Sequence, residues 1–302
     1  MKKFLKRITI FFVPIFLLLF IAEFSVRKIP NSYKLKGEYL KKNAKSIQNI
    51  ALGSSHTFYG IKPEYFSSKT FNAGNISQSP DVDFAILKSY EDKFTNLRAV
   101  IIRLSYDTLF EQLKNSPEDW RLKDYKLYTD VEFDYSFKHN FELLSIGTSR
   151  CFKVLKNYYF NDDPLLNSDS LGWGNDLGNK TKTNINKAGV IVAKRHTIKA
   201  WDLLEDNVKI FQQLIEWCQQ RNIKVLLVTP PAYRSYTENL NKNQFNKMTQ
   251  VGNDLNSKYN NCTYYNLLNH EGFMAEDFYD ADHLNAKGAK KFSLIINSLI
   301  EI

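Results

Sequence analysis

The chain predicts an α/β domain with a mainly parallel sheet covered by helices on both faces, carried on an apolar N-terminal segment. Three observations lead there. Short apolar runs, too brief for helices, recur at 47–52, 98–104 and 223–228, each closed by a turn or breaker residue. Segments with helical spacing of apolar residues alternate with them, as in sheets whose strands are joined by crossover helices. The first 28 residues are apolar with basic flanks, unlike anything later in the chain.

In order, residues 8–24 are almost wholly apolar and follow four cations, Lys2, Lys3, Lys6 and Arg7. At 1.5 Å per residue they cover about 26 Å, slightly short of a ~30 Å hydrocarbon core, and flanking side chains can snorkel over the rest. A buried helix of a soluble protein is equally apolar, but the basic flank favours a membrane segment. No small-residue cleavage site follows, so residues 1–28 are expected to be an uncleaved anchor. Four Lys/Arg precede the span and seven follow it, which by counting puts the following domain in the cytoplasm. The short charged N-terminus is the usual pattern of a signal-anchor, and on that pattern an extracytoplasmic domain is expected. Residues 29–46 are polar and lysine-rich and read as a tether.

Ile47 to Leu52 reads as the first strand, ending at Gly53, and Thr70 to Ala73 as the second, ending at Gly74. Pro80 to Phe94 reads as a helix, with Ser79 as cap and Pro80 in the first turn. Arg98 to Leu104 reads as a buried central strand. Residues 106–203 break the rhythm and read as an aromatic, turn-rich insertion with helical pieces around 140–158; bare loop of that length does not suit a compact domain. Then follow a helix over 204–221, a strand over 223–228, a helix over 241–259, a strand over 262–267 and a closing helix over 286–300. The main domain, 47–302, is long enough for a sizeable core.

The formal net charge of +9 belongs to one end: residues 1–45 hold 11 Lys/Arg and two acids, the remainder 30 of each. The main domain therefore lacks the basic excess of a nucleic-acid binder. The basic end suits anionic lipid headgroups. Cys151, Cys218 and Cys262 have no metal-type spacing and read as small buried hydrophobes.

The chemistry lies in two distant segments. Leu52-Gly53-Ser54-Ser55-His56 puts serines on a glycine turn after a strand, and Asp280-Ala281-Asp282-His283 puts carboxylates and an imidazole just before the last helix. A serine hydroxyl needs a base to take its proton and an acid to orient that base. These segments, in this order, resemble the SGNH/GDSL hydrolases, flavodoxin-like three-layer α/β/α esterases and acyltransferases. The resemblance covers about 47–105 and 204–302. It implies Ser55 as nucleophile, His283 as general base and Asp280 as orienting acid, on a five-stranded sheet with a large insertion after the third strand. It also implies an oxyanion hole from the backbone amides of Ser55 and Gly74, with Asn75 as a side-chain donor. The family's third block, Gly-x-Asn-Asp, is replaced by Leu104-Ser105-Tyr106-Asp107, and an ionised Asp107 cannot donate to an oxyanion.

Other residues carry weaker signals. Ser54 reads as a turn hydroxyl and His56 as an ordinary polar contact. Asp280, Asp282 and His283 could ligate a cation, but no further cluster accompanies them and no metal or cofactor is expected. Lys194-Arg195-His196 and Arg234 could face an anionic substrate, though solvated surface is the simpler reading. Trp120 and Trp173 could stack on sugar rings, though core is more usual. The expected activity is that of a membrane-anchored esterase or O-acyltransferase on acyl, chiefly acetyl, esters of extracytoplasmic glycans. Its expected partners are membrane lipid, an acylated carbohydrate and a membrane acyl-donor protein. The alternatives are a weakened glycan-binding or assembly protein of the same fold and a metal-dependent phosphoesterase.

Overall fold

The structure, a computed structural model, describes residues 1–162, 166–179, 181 and 184–301. The elements in chain order are α1 (Lys2–Lys28), α2 (Ser32–Asn43), β1 (Asn49–Leu52), α3 (Ser55–Gly60), β2 (Thr70–Asn72), α4 (Pro80–Ser89) and β3 (Ala99–Arg103). The insertion contributes α5 (Leu122–Tyr128), α6 (Glu142–Ile146), α7 (Thr148–Phe160) and α8 (Ile185–Arg195). The chain ends with α9 (Leu204–Gln219), β4 (Lys224–Thr229), α10 (Arg234–Thr237), α11 (Lys242–Lys258), β5 (Cys262–Asn266) and α12 (Ala286–Glu301).

The five strands form one sheet in the order β2-β1-β3-β4-β5, with every pair parallel. This is the flavodoxin-like order, whose sites lie beyond the C-terminal ends of the strands where the order reverses, here between β1 and β3. The inner strands β1, β3 and β4 are mainly apolar because both of their faces are covered. Side chains alternate between the faces. Ile50, Leu52, Val100, Ile102, Val225 and Leu227 point into a core with Phe211, Leu214 and Met248. Ala51, Ile101, Leu226 and Val228 point the other way, onto Phe292 and Ile296 of α12. Each fully buried Leu, Ile or Phe stabilises the fold by roughly 1.5–3 kcal/mol.

Residues 29–46 are not a tether. Asn31 caps α2 by accepting from Lys34 N at 2.9 Å, and Lys36 and Leu40 are buried one turn apart on its inner face. Lys36 Nζ donates to the Gly74 carbonyl and lies 4.4 Å from the Phe58 ring centre. Burial pushes its pKa well below the ordinary lysine value, partly opposed by Asp169. The lysine content hid this helix, because the lysine stem supplies part of its inner face.

Among its described residues the insertion folds into α5 to α8 and short helical turns. Its α6 and α7 pack against the C-terminal third of α1. The Glu23 carboxylate accepts from the backbone N–H groups of Glu142 and Leu143, both at 3.0 Å, satisfying donors at the start of α6. Arg27 pairs with Glu23 and donates to Asn140 O at 2.6 Å. All three cysteines are free and buried, as small hydrophobes are.

Candidate active site

Chain geometry at the end of β1 sets the position of Ser55. Gly53 has φ +129°, and a Cβ there would sit 2.7 Å from Thr57 Oγ1 and 2.8 Å from Arg103 Cβ, so only glycine fits. Ser54 is extended and Ser55 opens α3. Thr57 Oγ1 donates to Leu52 O at 3.1 Å, tying the helix start to the strand end. At the other end, Asn72 Nδ2 donates to Thr57 O and Ile61 O at 2.8 and 2.7 Å. The fully buried Asn72 thereby supplies donors to carbonyls around the end of α3.

The second segment is fixed by Asn285. Its Oδ1 accepts from Lys287 N and Gly288 N at the start of α12, and its Nδ2 donates to Glu276 O and Phe278 O. Tyr279 N donates to His283 O at 2.9 Å, closing the loop that carries the acids.

Across 228 residues of sequence, Ser55 Oγ lies 2.8 Å from His283 Nε2. His283 Nδ1 lies 3.0 Å from Asp280 Oδ1, which also accepts from His283 N at 2.9 Å. The backbone bond and the ring bond share one oxygen, so the acid holds both the loop and the imidazole. In the neutral ring, with Nδ1 protonated toward Asp280, Nε2 is the lone-pair nitrogen facing the serine.

A second histidine lies against the first. The His56 and His283 rings stack with centres 4.8 Å apart and an interplanar angle of 13°. The buried Asp282 carboxylate faces both, 3.3 Å from His56 Nε2 and 3.5 Å from His283 Nδ1. Arg103 Nη1 lies 2.9 Å from His56 Nδ1, and Ser54 Oγ lies 3.3 Å from the same nitrogen. Ser54 thus faces His56, whereas Ser55 faces His283. The reading of His56 as an ordinary polar contact missed the stacking and the shared carboxylate.

The charges act in opposite senses on the two rings. Burial works against a charged His283, but the charge of Asp282 and the bonds to Asp280 and Asp282 push its pKa up to about 10. Burial lowers the pKa of His56, and the charges of His283 and Arg103 add to this against Asp282. Burial alone would raise Asp282, but the two histidines hold it well below the usual carboxylate range.

The third block is rebuilt around an ion pair. Arg103, buried at the end of β3, reaches Asp107 through Nη1 and Nη2 at 3.3 and 3.2 Å. Ser105 Oγ donates to Asp107 Oδ1 at 2.7 Å. Burial opposes ionisation of Asp107, but Arg103, His196 and His56 keep it ionised well below the ordinary range. Tyr106 Oη meets Thr197 Oγ1 at 2.8 Å and accepts from Asn241 N at 2.9 Å, bracing the insertion.

Two of the three expected oxyanion donors, Gly74 and Asn75, have other acceptors here. Gly74 N–H donates to Asn72 Oδ1 at 3.0 Å. The Asn75 amide donates to Gln78 Oε1 at 3.1 Å, and Asn75 lines a separate cavity of about 230 Å³. Ser55 N–H, at the first position of α3, has no intrahelical acceptor.

Ser55 and His283 open onto a cleft of about 540 Å³. Its wall carries hydroxyls and amides, among them Ser77, Gln78, Gln112 and Ser116, with Arg103, Arg195, Glu111 and Glu118. His196 and Arg195 reach it from the insertion, whereas Arg234 lies 5.9 Å from the Tyr233 ring. Burial, then Asp107, pushes the Glu111 pKa up to about 7. Trp173 is core, donating from Nε1 to Tyr59 O at 2.7 Å. Trp120 lines the smaller cavity, stacked with Arg121 and Arg150 at 4.5 and 4.0 Å. Ligand-type atoms of His56, Asp282 and His283 lie within 4.8 Å of one another. Any cation there competes with the rings' contacts to Asp282 and Asp280.

No family model matches the chain, and no curated protein matches it. Among solved structures it is similar to a GDSL-like lipase from Bacteroides thetaiotaomicron, at 12% identity and TM-score 0.41, covering 90% of this chain and 98% of that one. It is also similar to a candidate acylhydrolase from Bacteroides fragilis, at 11% identity and TM-score 0.40, covering 87% and 94%. By its own sheet order the chain has a flavodoxin-like α/β fold, with the Ser55 and Asp280–His283 segments at the end of β1 and before α12.

Proposed function

We propose that the protein is a membrane-anchored serine esterase or O-acyltransferase that handles acyl esters, chiefly acetyl, on extracytoplasmic glycans. The observation that carries the reading is the Ser55–His283–Asp280 relay, with bonds of 2.8 and 3.0 Å, opening on a polar cleft.

In this mechanism neutral His283 takes the Ser55 proton at Nε2 as Oγ attacks the ester carbonyl. Asp280 holds the ring through Nδ1–H and stabilises the imidazolium that forms. The Ser55 N–H supplies one oxyanion donor. Gly74 N–H supplies a second by exchanging Asn72 Oδ1 for the oxyanion, with Asn75 holding that loop through Gln78. The tetrahedral intermediate collapses to acyl-Ser55, and His283 returns the proton to the departing alcohol. Water or a sugar hydroxyl then resolves the acyl-enzyme by the same steps in reverse, which is why one triad serves both hydrolysis and transfer. The hydroxyls and amides of the cleft suit a carbohydrate, and the apolar 27-residue α1 suits the anchor.

Covalent labelling by a fluorophosphonate tests this: the wild-type chain is labelled, and Ser55→Ala is not. Labelling that survives Ser55→Ala would put the nucleophile elsewhere. The departure at Asp107 and the engaged Gly74 amide favour a second reading, a glycan-binding or assembly protein of the same fold. Absence of labelling in the folded wild-type chain, with glycan binding retained, would select it.

A further inference from the structure

We propose that α7 is a second membrane contact, an interfacial helix seated in the headgroup region beside α1. This rests on the reading of α1 as a membrane anchor. Four observations converge on it.

First, α1 divides into two parts. Residues 1–21 are exposed apart from the half-buried Leu19, whereas Ala22 and Val26 are buried against the domain. The free stretch 4–21 is about 27 Å long and apolar but for Lys6 and Arg7, whose heads can snorkel to the near interface, so residues 22–28 lie at the opposite water boundary.

Second, α6 and α7 are fixed at that level. Glu23 holds the start of α6, Tyr159 Oη donates to Ser25 O at 3.4 Å, and Val154 shares a cavity wall with Val26.

Third, the outward face of α7 exposes three aromatic rings. Phe152, Tyr159 and Phe160 fall at i, i+7 and i+8, one helical face, and are 50%, 50% and 83% exposed. Leu144 of α6 and Phe137 just before it are exposed as well. Scattered exposed apolar residues need no explanation, but a group of this size continuous with an apolar helix does.

Fourth, the charge fits lipid. Arg150, Lys153 and Lys156 are exposed on α7, interleaved with the aromatic rings, and Lys28 closes α1, so cations lie among and beside that aromatic group. Aromatic rings with basic neighbours are the composition of helices that lie in the interface of anionic bilayers.

The consequence is a domain held by two contacts. The cavity beside Trp120 and Arg150, which shares Ile76 with the catalytic cleft, then opens close to the bilayer surface.

The three native cysteines are buried, so a nitroxide can be placed on an introduced one in the full chain. The variants are Phe16→Cys on α1, Phe152→Cys and Phe160→Cys on α7, and Leu294→Cys on the exposed side of α12, each reconstituted in vesicles containing phosphatidylglycerol. Collision with oxygen reports lipid and collision with a water-soluble nickel chelate reports solvent. At position 16 oxygen should dominate, and at 294 nickel. At 152 and 160 the oxygen-to-nickel ratio should exceed that at 294 at least threefold. Ratios at 152 and 160 equal to that at 294, with position 16 in lipid, would overturn the proposal and leave the anchor intact. Shielding of 152 and 160 from both reagents would also overturn it, showing a protein on that face. Nickel access at position 16 would remove the anchor reading and the proposal with it.

Discussion

His56 and His283 lie face to face, 4.8 Å apart, and share the Asp282 carboxylate, yet their environments drive them in opposite directions. His283 has two carboxylates on Nδ1 and a hydroxyl on Nε2, and it gains affinity for a proton. His56 has a guanidinium at Nδ1 and loses it. Two like rings in contact cannot both carry charge cheaply, so the pair takes up one charging proton, and the arrangement assigns it to the ring that touches serine. Position in the polar network, and not residue type, separates the two rings.

Removing the serine or the base gives the largest effect. Ser55→Ala and His283→Ala should each lower kcat/KM for a small aryl ester by about 10³-fold or more, with unchanged circular dichroism. Asp280→Asn comes next. It keeps the shape and removes the charge that orients Nδ1–H, and a loss of about 10³-fold is expected in the same assay. A loss below tenfold would transfer the orienting role to Asp282.

Asp282→Asn tests the comparison itself. The base must be neutral to accept a proton, so with its pKa pushed up to about 10, kcat/KM should climb with pH through the alkaline range and level off near there. Losing the Asp282 charge lowers that pKa, so the plateau should begin about one to two units lower. A profile that does not move would show that Asp282 serves the fold alone. His56→Gln should have a smaller effect, a fall of roughly three- to tenfold with a shift in the same profile, because it removes a stacked ring but no bond to Ser55.

The smallest expected effect is on stability. A histidine whose folded pKa stands above its unfolded value of about 6.5 stabilises fully below that pH and loses its contribution as pH rises through the folded value. The wild-type melting temperature should therefore fall between about pH 6.5 and pH 10. In His283→Gln that slope should be shallower.

Much of the sheet was legible because strand length and apolarity follow from burial on two faces. Predicted and observed bounds differ by one or two residues in β1, β3 and β5. Ser55, Asp280 and His283 were legible because a glycine turn after a strand and an acid three residues before a histidine are local patterns, and the structure brings them together. Helix α2 was not, since Lys36 reads as surface and sits in the interior. The engagement of Gly74 by Asn72 was hidden because it depends on where α3 ends in space. Arg103 had a signal that passed unread: a cation closing a buried apolar strand needs an acid, and Asp107 four residues on supplies it. The stacking of His56 on His283 joins segments more than two hundred residues apart and has no local signature.

The two backbone bonds from Glu23 to α6 reach beyond helix capping. A catalytic body on a loose leash sweeps a wide volume and meets its substrate by chance encounter. One bolted to its mast keeps a single height and heading, so on the proposed reading any ester must be delivered to that spot. Neutralising this one carboxylate would leave the chemistry intact while letting the body swing.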